Sequence, residues 1–323
     1  MSAVARPGGY VVPTAADLAV PAPPIGDDLA TPLARAAEHT VLARTGGRRP
    51  APRPARTRVL VVANQKGGVG KTTSTVNVAA ALAQLGQRVL VVDLDPQGNA
   101  STALGVEHHR GVPSTYDALV DAVPLAEVAV PSPDQDGLWV VPATIDLAGA
   151  EIELVSVVAR ENRLRKAILG HPLVGTAEDV GPDRLDYVLV DCPPSLGLLT
   201  LNALVAGNEM MIPIQAEYYA LEGLGQLLET VEMVKAHLNP ELDVSTILVT
   251  MYDARTRLAA GVAAEVREHF GGQVLRTTIP RSVRVSEAPS YGQTVMSYDP
   301  GSPGALSYLE AAREIATQGA GPA

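Results

Sequence analysis

Two lysines, Lys66 and Lys71, bracket a run of glycines in the segment Asn64-Gln-Lys-Gly-Gly-Val-Gly-Lys-Thr-Thr73. Gly67, Gly68 and Gly70 permit a tight backbone turn, so that successive N–H groups, those of Val69, Lys71, Thr72 and Thr73 included, can converge on one anion. A helix starting near Lys71 would add the positive end of its dipole. That is phosphate chemistry. Lys71 is suited to hold the β- and γ-phosphates of a nucleotide, and the Thr72 hydroxyl to take one octahedral position on Mg²⁺. The usual G-x-x-x-x-G-K-[ST] spacing is not met, because Gln65 stands at the first glycine position. The loop is a variant with one lysine more, and a plain glycine turn between strand and helix is the reading it competes with.

Carboxylates follow at two strand ends. Arg88-Val-Leu-Val-Val-Asp-Leu-Asp95 reads as a buried strand that delivers Asp93 and Asp95, and Leu185-Asp-Tyr-Val-Leu-Val-Asp191 reads as another that delivers Asp191. Ligands of open α/β sheets bind beyond the carboxyl ends of strands, where Asp191 could accept from a metal-bound water in the Walker B manner. A lone aspartate there could equally cap the next helix. Two such strands beside one cradle point to a metal–nucleotide site, with Thr72 and Asp191 as candidate metal-side residues.

These groups need a frame. Apolar runs at 58–64, 88–93, 138–142, 185–191, 209–215, 244–251 and 273–279 alternate with helical patterns such as Thr72 to Leu85. The alternation predicts an α/β fold, a mainly parallel sheet with helices on both faces. The globular part is expected to span 58–318. Residues 1–57 hold proline- and arginine-rich stretches that cannot bury enough apolar surface, which predicts a flexible arm. Within it Leu29, Leu33, Ala37 and Val41 suggest one short amphipathic helix between Asp28 and Ala43, against which stands a marginal helix in a disordered tail. Residues 319–323 read as a short disordered tail. With 46% hydrophobic and 3% aromatic residues, the 323-residue chain can build a large aliphatic core. No apolar run reaches membrane-spanning length and no secretory pattern opens the chain, so a cytoplasmic location is expected. The single cysteine, Cys192, excludes an internal disulfide and argues against structural zinc. Trp139 reads as packing, and His108 and His109 as solvated.

K-G-G-V-G-K-T, D-L-D-P-Q-G-N-A-S-T, V-D-C-P-P-S-L-G, Q-A-E-Y-Y-A-L-E-G and I-P-R-S-V-R-V-S-E-A-P-S-Y-G-Q occur in this order. In them the chain resembles the ParA/Soj chromosome and plasmid partition ATPases, from about Arg58 to about Thr317. The shared cradle also admits MinD and nitrogenase iron protein relatives, but the last two segments favour ParA. The resemblance implies ATP with Mg²⁺ and a nucleotide-sandwich homodimer in which Lys66 crosses to the phosphates of the other subunit. It further implies that Lys71 acts in cis, that Thr72 holds Mg²⁺, that Asp93 and Asp191 act around the metal, that Asp95 orients the attacking water and that Pro280 lies against the nucleotide. Hydrolysis should be slow until a ParB-like centromere-binding partner completes the site.

The resemblance also implies nonspecific binding to double-stranded DNA on the nucleoid. A formal net charge of −10 opposes this, so a local basic patch must carry it. The candidates are Arg255, Arg257, Arg276, Arg281 and Arg284; the stretch from Arg276 through Arg284 contains no acidic residue. Ion pairs with Asp253, Glu265 or Glu287 are the competing role for these arginines. A MinD-like membrane ATPase would end in a basic amphipathic helix, whereas the last helix here, about Pro303 to Thr317, carries Glu310 and Glu314 against Arg313 alone. An iron–sulfur reductase needs bridging cysteines that the chain lacks, and an amide-forming ligase needs a substrate pocket that no motif announces.

Overall fold

The computed structural model describes residues 50–217 and 220–318, with residues 220–223 as backbone only. The expected helix between Asp28 and Ala43 and the tail 319–323 lie outside the described residues.

Three near-continuous runs of β-branched and aliphatic residues form the centre of the sheet: β1 (Arg58–Val62), β2 (Val89–Asp93) and β5 (Tyr187–Asp191), every residue of which is buried. Strands without a polar face suit a parallel sheet covered on both sides. The remaining strands are β3 (Val130–Pro131), β4 (Leu138–Val141), β6 (Glu209–Gln215) and β7 (Asp243–Thr250), and the seven-stranded order is β3-β4-β2-β5-β1-β6-β7. All pairings are parallel except that of β3 with β4 at the edge. The longer helices are α1 (Lys71–Gln84), α2 (Leu147–Glu153), α3 (Arg163–Leu169), α4 (Leu198–Ala206), α5 (Ala220–His237), α6 (Arg257–Phe270) and α7 (Pro303–Gln318).

Alternate residues of β1 feed opposite cores. Val59 and Val61 pack in the layer that holds α4, α5 and α6, while Leu60 and Val62 pack with α1 and α7. The predicted α/β class and two-sided helix cover are therefore observed. One expected strand is not. Residues 273–279 make only an isolated bridge, Val274 to Ile247. Leu275 N–H and Ile279 N–H reach β7 carbonyls, but between them the Glu314 carboxylate of α7 captures the N–H groups of Arg276 and Thr277. A side chain takes the donors that a ladder would use. The two-residue β3 carried no readable period.

The boundary of the arm also differs from the expected residue 57. The chain from residue 50 is already pinned to the body. Arg53 pairs with Asp186 at 2.8 Å, the buried Arg184 guanidinium donates to the Pro54 and Ala55 carbonyls, and the Thr57 hydroxyl donates to the Leu185 carbonyl at 2.6 Å. Asp186 is the hub, since it also accepts from Arg184 and from the Arg88 N–H. Asp186→Ala leaves Arg184 as an uncompensated buried charge, and chemical denaturation should show a loss of about 3–5 kcal/mol. A loss below about 1 kcal/mol, the range of exposed pairs, would show that this hub does not hold the segment.

Candidate nucleotide site and arginine surface

The register of three strands assembles the site. Asp191 pairs with Val62 across β1/β5 and with Asp93 across β2/β5, so both carboxylates end neighbouring strands beside the exit of β1 into the glycine loop. Gly68 and Gly70 adopt φ of 74° and 87°, which favours glycine over residues bearing a Cβ, and Gly70 caps the N-terminus of α1. The cradle is braced from outside the loop. Asn64 accepts from the Lys66 N–H and donates to the Pro213 carbonyl, while the Thr250 hydroxyl donates to the Val69 carbonyl.

The two lysines are held differently. Lys71 is buried, and its ammonium donates to the Lys66 carbonyl at 3.2 Å. Desolvation pushes its pKa down against the pull of the Asp191, Cys192 and Asp95 charges. Lys66 instead points to the rim, where its Nζ lies 3.0 Å from Glu217 and both side chains remain 40% and 47% exposed.

Asp191 accepts from the Thr75 hydroxyl at 2.8 Å through Oδ1. Its Oδ2 is buried without a hydrogen-bond partner among the described residues. Burial, and then the charge of Asp93, push the Asp191 pKa up, while the hydroxyls of Thr72 and Thr75 pull it down. A buried carboxylate oxygen with no donor fits a hydrated cation that Thr72 also faces. The charge balance fits as well: the Asp191 and Asp95 carboxylates both act on the buried Lys71 ammonium.

Asp93 has a different setting from the metal-side role expected for it. Its Oδ2 accepts from both the N–H and the hydroxyl of Ser101, and its Oδ1 accepts from the Asp95 N–H. Both oxygens are engaged by the protein, so Asp93 orders the turn that carries Asp95. Asp95 Oδ1 accepts from the Gln97 N–H, and its carbonyl accepts from the Gly98 N–H. His108 is half-buried; it makes an exposed bond with the Thr102 hydroxyl and packs over Gly98, where an added Cβ would lie 2.7 Å from its Nδ1. His109 is exposed. Cys192 is buried with a raised pKa, an inert setting, and Trp139 packs under the Arg88 guanidinium at 4.8 Å.

Sequence reasoning missed Thr75, Ser101, Glu217 and Thr250. Thr75 carried a usable signal, since it lies one helical turn after Thr72 and thus on the same face. Glu217, an acid directly after a buried strand, offered a weaker one. Ser101 and Thr250 offered none, because small hydroxyl residues occur everywhere.

The structure brings some candidate arginines together. Arg255 and Arg281 meet where the Arg281 N–H donates to the Tyr252 carbonyl, and Asp253 holds the Arg255 guanidinium at 2.8 Å. Hydrogen bonds from Arg255 come first among the causes that depress Asp253 to about 2, and the charge of Arg281 adds to them. Arg284 is shared between Glu287 at 3.2 Å and Asp299 at 3.5 Å. The exposed Arg276 faces Glu314 with Arg267 and Arg313 around a cavity of about 620 Å³. Arg257 opens α6 in solvent. Among the described residues, neither Arg257 nor Arg281 forms an ion pair. Pro280 forms a bridge with Tyr252, one residue before Arg281.

Residues 57–244 match the AAA domain family. Over 262 residues the chain is 49% identical to the sporulation initiation inhibitor protein Soj of Bacillus subtilis, an alignment that covers 81% of this chain and 99% of that protein. The chain belongs to the ParA/Soj family of chromosome-partitioning ATPases. Its identity with the chromosome-partitioning ATPase Soj of Thermus thermophilus is 51%, covering 81% of this chain and 96% of that one. A solved structure of cobyrinic acid a,c-diamide synthase from Mycobacterium smegmatis, with a bound ATP analogue and magnesium, is 38% identical and covers 79% of this chain and 93% of its own at a TM-score of 0.64. This ParA/Soj member is accordingly an ATPase, and no described helix is long and apolar enough to cross a membrane.

Proposed function

We propose that this ATPase segregates DNA through an ATP-held homodimer that binds nonspecific duplex, with hydrolysis triggered by a centromere-bound ParB-like protein. ATP and Mg²⁺ are its cofactors. The observation that carries the reading is the division of labour between the lysines: Lys71 is buried in its own cradle, whereas Lys66 is half-buried and turned to Glu217 at the rim, where a second subunit's phosphates can compete for its ammonium. Within one subunit the glycine loop N–H groups and Lys71 bind the phosphates, and the turn ordered by Asp93 holds Asp95 to orient the attacking water. Mg²⁺, when bound, neutralises phosphate charge, and Thr72 and Asp191 are the residues that would hold it. Such a protein works in the cytoplasm, on the nucleoid.

Arg255 and Arg281 form the centre of the DNA surface, with Arg257, Arg276 and Arg284 as flanking contacts. Retention on nonspecific duplex should require ATP, fail with ADP and fall steeply with salt. Lys71→Ala and Arg281→Glu should each lower retention at least about tenfold. Asp253→Asn releases Arg255 from its clamp and should raise low-salt retention about twofold to fivefold, a gain that Arg255→Ala removes. Wild-type protein that ignores DNA at every salt concentration would sink the reading.

A second reading, an ATP-dependent amide-forming ligase, draws on the 38% identity to the diamide synthase. Turnover that requires an amine donor and a carboxylate acceptor, and is indifferent to DNA, would establish it instead.

A further inference from the structure

Thr250 closes β7 and touches the cradle from the side. Its buried hydroxyl lies 2.8 Å from the Val69 carbonyl and 3.0 Å from the Ile214 carbonyl. A Cβ added at Gly70 would lie 3.9 Å from its Cγ2, so side chain and loop are in contact range. The one O–H of this hydroxyl donates to the nearer Val69 carbonyl, with the Ile214 carbonyl of β6 beside it as the competing acceptor, so the glycine loop is tied to the end of β7. The next residue, Met251, sits at φ 50°, a left-handed conformation that a side chain bearing a Cβ adopts at a cost. The Tyr252 N–H then donates to the Ile279 carbonyl, the Tyr252 carbonyl accepts the Arg281 N–H, and Asp253 holds Arg255. A few consecutive residues run from the phosphate cradle to both central arginines.

We propose that Thr250 is a positioning residue that sets the cradle for ATP and, through Met251 and Tyr252, ties cradle occupancy to the pose of the arginine loops. The second half of the proposal rests on the DNA reading above. Phosphate binding engages the N–H groups around Val69 and Gly70, and the carbonyl on the other side of the same peptide plane is the one that Thr250 holds. A shift of that plane reaches the Thr250 hydroxyl directly. Transmission over distance needs an element with two arrangements, and that role falls to Met251, whose positive φ is held at a cost.

The test uses the full chain, with steady-state ATPase kinetics and retention on nonspecific duplex measured side by side. Thr250→Val keeps the β-branched shape but leaves the Val69 carbonyl without its donor. It should raise KM for ATP about fivefold with kcat within about twofold of wild type, and Thr250→Ser should restore KM. At ATP saturating for each protein, Thr250→Val should lose most of the ATP-dependent gain in DNA retention that wild type shows. Met251→Gly leaves the cradle contacts alone, so KM should stay near wild type while the gain falls. A wild-type KM in Thr250→Val overturns the positioning role, and an intact ATP-dependent gain overturns the joint. Wild type with no such gain overturns the DNA reading and the joint together, while KM still decides the positioning role. Should Thr250→Val fail to fold by its melting curve, Thr250→Ala against Thr250→Ser carries the same comparison.

Discussion

Asp95→Asn should slow ATP turnover by about 10²- to 10⁴-fold while leaving ATP affinity within a few-fold of wild type. Asp95 is buried, yet among the described residues its carboxylate is bound only through Oδ1, to the Gln97 N–H within its own turn. The turn is fixed from behind, because Asp93 accepts the Asp95 N–H and is itself locked by Ser101. An aspartate so fixed, with a free oxygen beside Lys71, is placed to orient or deprotonate a water; asparagine preserves size and the local bond but not the basicity. Single-turnover hydrolysis and binding of a fluorescent ATP analogue separate the two effects. A variant that hydrolyses within about tenfold of wild type would assign the attacking water to another group, whereas one that loses affinity as severely as rate would make Asp95 a ground-state ligand.

The sequence was most legible where several residue types had to agree. Glycines, two lysines and a threonine between a strand and a helix leave little besides a phosphate cradle, and the runs Arg58–Val62 and Tyr187–Asp191 leave little besides central parallel strands. What escaped depends on partners distant in the chain. Residues 273–279 have strand composition, but Glu314 on α7 takes the N–H groups of Arg276 and Thr277. Asp93 looked like a metal-side carboxylate because it ends a strand beside the cradle, and only the fold shows Ser101 filling its second oxygen. Proline and arginine at 50–57 read as linker until Asp186 and Arg184 are seen to hold them. The arginines were readable as a basic cluster, but their clamping by Asp253, Glu287 and Asp299 was only partly so, since Asp299 lies well along the chain from Arg284.

At Lys71, function and stability should move in opposite directions. Lys71→Met keeps the apolar stem but removes the ammonium, which should cut turnover by at least about 10³-fold, as expected for loss of a preorganised charge at a transferring phosphoryl group. The same change should stabilise the nucleotide-free fold by about 1 kcal/mol, because a buried cation is lost whose one bond among the described residues is to the Lys66 carbonyl. Desolvation lowers the Lys71 pKa and outweighs the opposing pull of the Asp191, Cys192 and Asp95 charges, so the uncharged replacement removes a net burial cost. With ATP and Mg²⁺ present the order should invert, since wild type gains about 2.7 kcal/mol at a hundredfold excess over Kd and the variant gains little. Urea denaturation with and without nucleotide reads both signs. If the variant is less stable without nucleotide, Lys71 is part of the scaffold as well as the cradle. If it binds ATP and turns over like wild type, the phosphates lie somewhere other than the glycine loop.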